Sequence, residues 1–189
     1  NILRAKFRLG LFERPYTDPA ALPPIANDDA LDTAKNAALQ SMVLLKNDKR
    51  VLPLSADGLK SVALIGPLAD APYEQLGTWI FDGDPELSVT PMHAIHDLVG
   101  RDIDVRYVRA METSRSHSFV GFDAAVAVAR DSDAVVLFLG EESILSGEAH
   151  SRADISLPGA QAELVKRIRS TGKPVVAVIQ AGRPLTLSN

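Results

Sequence analysis

Residues 134–139, AVVLFL, are six apolar residues in succession, rich in Val, Leu and Phe and too few for a helix with two faces. Such a run reads as a strand buried on both sides, the kind found in parallel sheets covered by helices. The loop after it constrains the chain further. Residues 140–158, GEESILSGEAHSRADISLP, leave the carboxyl end of that strand and run to the next helical pattern. Loops between strands and helices usually take about 2–6 residues, so a loop of this length is functional or disordered. Its Ile144, Leu145, Ile155 and Leu157 argue against disorder. In open α/β sheets the carboxyl edge is where ligands bind.

The rest of the chain supplies the sheet and its helices. Residues 2–9 alternate apolar and basic groups before Gly10, as the last turns of a helix from a preceding domain would. Four prolines in residues 11–25 predict an extended linker. A helix is expected over residues 30–46, capped by Asp28 or Asp29, with Leu31, Ala34, Ala38, Met42 and Leu45 on one buried face. Then come a strand at 61–66, a second long loop at 67–90, a helix at 92–99 and a strand at 104–108. A helix at 122–130, the central strand, a helix at 160–170 and a strand at 174–180 complete the pattern. This alternation predicts an α/β fold, a mainly parallel sheet sandwiched by helices with right-handed crossovers. The domain division is read as 1–27, the end of a preceding domain and its linker, and 28–189, the α/β domain. The sequence opens at Asn1 without methionine and stops just after residues 184–187, where an element is starting. It is therefore expected to be part of a longer protein, with its sheet incomplete at the C-terminus.

Composition removes several function classes. A net charge of −4 with dispersed Lys and Arg offers no nucleic-acid footprint. The absence of cysteine removes disulfides, thiolate metal sites and thiol nucleophiles. No apolar run approaches the roughly 18 residues of a membrane span. No nucleotide-binding glycine motif occurs, and His93 and His96 lack a third ligand at a suggestive spacing, so neither cofactor nor metal is expected.

Among the remaining groups, Glu148 lies between Gly147 and Ala149, small neighbours that leave its carboxyl free to reach a cleft. A glutamate taken at random is a solvated surface group, and the loop's length and position argue here for function. Glu141 and Glu142, at the strand end, are expected to receive backbone amides in a structural role. Asp154 and Ser156 are expected to satisfy nearby backbone groups. A lone tryptophan is most often core, but the Gly77, Asp82, Gly83 and Asp84 around Trp79 suit an exposed platform better.

Six segments together resemble the second domain of family 3 glycoside hydrolases, especially the bacterial β-glucosidases. They are KFRLGLFERPY (6–16), SMVLLKNDKRVLPL (41–54), VALIGPLAD (62–70), GTW (77–79), SGEAHSRADISLPG (146–159) and TGKPVVAVIQAGRPL (171–185), in the family's order over nearly the whole chain. The resemblance implies that a preceding barrel domain, whose end is residues 1–9, supplies a nucleophilic aspartate. It places the general acid/base on Glu148 and stacking against the leaving-group sugar on Trp79. The implied activity is retaining, exo-acting hydrolysis of terminal β-D-glucosyl residues from a β-glucoside or oligosaccharide, without a cofactor, in a periplasmic or secreted setting. Close relatives acting on β-xylosides, α-arabinofuranosides or N-acetylglucosaminides form the alternative within the family. A non-catalytic α/β module that binds a carbohydrate or nucleotide is the alternative outside it. With the nucleophile elsewhere, this chain alone is expected to be inactive.

Overall fold

A computed structural model describes residues 1–187, and the chain divides into two compact units, Asn1–Leu45 and Lys46–Asn189. In the first unit, helix α1 (Ile2–Arg8) ends on Gly10, whose φ of 68° is the left-handed conformation that glycine adopts freely. The Gly10 amide donates to the Phe7 carbonyl at 3.0 Å and the Leu11 amide to that of Lys6 at 3.1 Å, which together satisfy the last turn. Helix α2 (Asp28–Ser41) is capped by Asn27, whose side chain accepts the Ala30 amide at 3.0 Å. Asp28 and Asp29 lie instead in its first turn, where their charge suits the positive end of the helix dipole. Two further expectations are corrected here. The helix stops at Ser41 instead of continuing to residue 46, and none of its residues is buried. Met42, Val43, Leu44 and Leu45 come next in non-helical backbone with exposed side chains.

The second unit contains the sheet. Strand β1 (Ser61–Ile65) leads through the short helix α3 (Pro72–Gln75) to α4 (Pro91–Val99) and β2 (Asp104–Val108). Helix α5 (Phe122–Arg130), strand β3 (Ala134–Gly140), helix α6 (Gln161–Arg169) and strand β4 (Val175–Gln180) complete it. All pairings are parallel and the strand order is β2-β1-β3-β4. The sequence reading of an α/β fold with a parallel sheet therefore holds, with strand bounds within a residue or so of those expected.

Although β1 and β3 are apolar throughout, their side chains serve two cores by simple alternation. Ala63, Ile65, Val135, Leu137 and Leu139 meet Phe122, Ala125, Ala129, Leu164 and Ile168 of α5 and α6. Val62, Leu64, Val136 and Phe138 meet Met92, Ile95 and Val99 of α4, together with Leu68 and Ile103. Burial on both faces is what the continuous runs require. Among the described residues no helix is long and apolar enough to cross a membrane.

Candidate active site

The strand order reverses direction between β1 and β3, since β1 leads to one edge of the sheet and β3 to the other. A crevice is expected outside the carboxyl ends at such a switch point. Glycine ends both strands in a conformation closed to other residues. Gly66 (φ 124°) would drive a Cβ into the Phe138 carbonyl, and Gly140 (φ 130°) into that of Gln180. Each chain thus leaves its strand close over the neighbouring one, and the two long loops emerge side by side.

The loops are tied together by short polar contacts. The Thr78 hydroxyl donates to the Ser143 carbonyl at 3.0 Å and lies 2.8 Å from the Ser146 hydroxyl. The Ser143 amide donates to the Glu74 carboxylate at 2.5 Å. Below them Gln161, fully buried, accepts the Gly140 amide at 2.8 Å and donates to the carbonyls of Gly140, Ser114 and Pro158. One amide side chain therefore holds both ends of the 140–158 loop to the sheet, and among the described residues no buried side-chain polar atom is left unpaired.

Between the loops lies a cleft of about 510 Å³, lined on one side by Glu74, Thr78 and Trp79 and on the other by Glu141, Ser146 and Gly147. Trp79 is 64% exposed, so it is not a core residue. Its ring edge lies 3.8 Å from where a Cβ on Gly147 would stand. Glu148 is the next residue and is exposed on a turn. Gly147 (φ 109°) and Ala149 (φ 62°) flank it, both with positive φ. The structure thus brings the Trp79 loop against the residue that precedes Glu148.

The four carboxylates of residues 141–158 differ in their surroundings. Glu141 has a side chain only 1% exposed and is paired with Arg152 and with Arg183, the latter at 3.1 Å. Glu142 accepts the Ser114 hydroxyl at 2.7 Å and the Arg115 guanidinium at 3.0 Å. Burial pushes its carboxyl up, and these donors outweigh burial and hold it below the ordinary range. Asp154 accepts the Ser156 amide at 2.8 Å, which lowers its pKa. Glu148 has no hydrogen-bond or ion-pair partner among the described residues. The structural roles expected of Glu141 and Glu142 hold, and guanidinium and hydroxyl groups are their main donors, joined at Glu142 by the Arg115 backbone amide.

Sequence reasoning did not find Thr78, Ser146, Gln161 or the Glu141 pairings. Arg152 lies four residues after Glu148 in the sequence, and its partner is Glu141. Arg183 arrives from beyond β4, a distance in sequence that no local pattern signals.

The glycosyl hydrolase family 3 C-terminal domain matches residues 42–189. A beta-xylosidase of Formosa agariphila is 36% identical over 100% of this chain and 27% of its own length. A periplasmic beta-glucosidase of Salmonella typhimurium is 32% identical over 99% of this chain and 28% of its own. The crystal structure of beta-glucosidase from Listeria innocua superposes with a TM-score of 0.82 at 35% identity, covering 98% of this chain and 25% of that one. The chain therefore spans about a quarter of the length of these relatives.

Proposed function

Since the chain belongs to glycoside hydrolase family 3, as its match to the family's C-terminal domain over residues 42–189 requires, we propose that it supplies the acid/base half of a retaining, exo-acting β-glucosidase. The observation that carries this reading is the contrast at the cleft. Glu74, Glu141 and Glu142 are engaged in holding loops, and Glu148, next in sequence to the cleft-lining Gly147, is exposed on a turn with no partner for its carboxylate among the described residues. In this reading residues 1–27 are the end of a barrel domain and its linker, and residues 28–189 form the α/β sandwich domain.

Retaining glycosidases set two carboxyl groups about 5–5.5 Å apart across the scissile bond. A nucleophilic carboxylate from the barrel attacks the anomeric carbon while Glu148 gives its proton to the departing oxygen as the C–O bond breaks. Glu148, now ionised, then takes a proton from the water that displaces the enzyme carboxylate. Trp79 offers its face to the leaving-group sugar, whose axial hydrogens form an apolar surface. A second reading, β-xylosidase, draws support from the Formosa agariphila relative.

The test is made in the full-length enzyme. Glu148→Ala should cost roughly 10²–10⁴-fold on unactivated β-glucosyl disaccharides. It should cost far less on aryl glycosides with good leaving groups, with azide restoring turnover. Parental rates on disaccharides would overturn the assignment. The ratio of kcat/KM on matched aryl β-glucosides and aryl β-xylosides decides between the two sugars.

A further inference from the structure

We propose that Arg183 is a positioning residue for the turn carrying Glu148. The proposal rests on the reading of Glu148 as the acid/base. It starts from the turn itself, which is poorly equipped to hold its own shape. Glu148 stands between Gly147 and Ala149, both at positive φ, and for alanine that region is sterically disfavoured. Within the turn the His150 amide donates to the Gly147 carbonyl at 3.2 Å, and the His150 ring Nδ1 lies 3.2 Å from the Ser146 carbonyl. An exposed turn of this kind needs an outside restraint to keep one geometry.

Arg183 provides it. One terminal nitrogen, Nη2, donates to the carbonyl of Leu145 and, at 2.7 Å, to the carbonyl of His150, which bracket Glu148 three residues before and two after. Its Nε donates at 3.1 Å to Glu141, whose other oxygen takes Arg152. A carboxylate as buried as Glu141 is costly unless its charge is matched, so the ion group stays assembled. The anchor is rigid because it sits where two paired strands end together. Gly140 pairs with Gln180, and the Glu141 amide donates to the Gln180 carbonyl at 2.8 Å, so Arg183 emerges beside Glu141 three residues beyond β4. The planar fork of arginine can serve a carboxylate and carbonyls at once in a way that a lysine ammonium cannot.

Proton donation to a glycosidic oxygen needs the carboxyl within about 2.6–3.2 Å of it. Displacement of a catalytic group by about 1 Å can cost on the order of 10²-fold. Loosening the turn should therefore mimic partial loss of Glu148, and do so only where protonation matters.

The experiment measures kcat/KM of the full-length enzyme on aryl β-glucosides of graded leaving-group pKa, for the parent, Glu148→Ala, Arg183→Lys, Arg183→Gln and each Arg183 variant combined with Glu148→Ala. Arg183→Lys should lose roughly 10–10²-fold on the poorest leaving group and only a few-fold on the best. Its dependence on leaving-group pKa should steepen toward that of Glu148→Ala. In the Glu148→Ala background the same change should cost little more. The ratio across leaving groups, taken on one preparation, is independent of the fraction folded, and two substitutions guard against one failing to fold. Equal losses along the series, or none, would overturn the role of Arg183. An unchanged slope in Glu148→Ala would instead overturn the reading of Glu148.

Discussion

At the scale of single residues, surroundings divide one chemistry into several tasks. Trp79 and Glu148 stood out in the sequence because of their neighbours and the length of their loops, and the structure puts Trp79 in the open cleft wall next to Gly147. If its task is stacking, Trp79→Ala in the full-length enzyme should lose about 0.5–1.5 kcal/mol of transition-state binding on disaccharides and less on small aryl glycosides. Equal loss on all substrates with a lowered Tm would mark it as structural. Nothing in the sequence marks out Asp133, because its partners lie some seventy positions away. Its carboxylate accepts the Lys60 and Ser61 amides, each at 2.9 Å, and the Ser61 hydroxyl, joining the starts of β1 and β3. The Lys60 amide foremost, then the Ser61 groups, hold its pKa below the ordinary aspartate range. A group lowered on folding stabilises the fold above its unfolded-state pKa, and that contribution fades as pH falls through the lowered value. The urea midpoint of the parent should therefore exceed that of Asp133→Asn at neutral pH. The gap should close in acid below the usual aspartate range, and a gap independent of pH would refute the linkage.

At the scale of elements, the strands were legible and one helix was only half so. Six apolar residues in succession admit few solutions other than a doubly buried strand, and β3 with its flanking helices is that solution. The helix expected over residues 30–46 rested on apolar spacing, which specifies a face without specifying a surface to cover it. It ends at Ser41 with no glycine or proline nearby, and its face is exposed. The glycines that end β1 and β3 carry more information than their single letters suggest. Gly140 adopts φ 130°, a region held almost solely by glycine, and a Cβ there would run into the Gln180 carbonyl. Gly140→Ala should cost about 1–3 kcal/mol in backbone conformation alone. The clash with β4 adds to that cost and shifts the start of the loop bearing Glu141 and Glu148. A thermal melt should register the first effect, and a fall in activity at temperatures well below Tm the second. An alanine variant as stable as the parent would mean that the strand end can relax.

At the scale of the whole molecule, the proposed retaining mechanism raises the question of where a second reacting carboxylate would come from. A retaining mechanism needs one about 5–5.5 Å from the acid/base. The carboxylates that line the cleft are Glu74, Glu141 and Glu142. Glu74 accepts the Ser143 amide, Glu142 is held by Ser114 and Arg115, and Glu141 is shut in between two arginines. A nucleophile must approach the anomeric carbon with a free lone pair, and each of these would first have to give up a contact that fixes a loop. The chain spans about a quarter of the length of its relatives, which leaves ample room for a nucleophile outside it. Residues 1–189 prepared alone should therefore not turn over an activated aryl β-glucoside, under conditions where the full-length enzyme at equal concentration does. Addition of azide should not help, because azide replaces the water of the second step and no glycosyl-enzyme would have formed. Turnover by pure residues 1–189 that disappears in Glu148→Ala would place a nucleophile within these residues. Glu74, which alone of the three has no charged partner among the described residues, would then be the first to substitute.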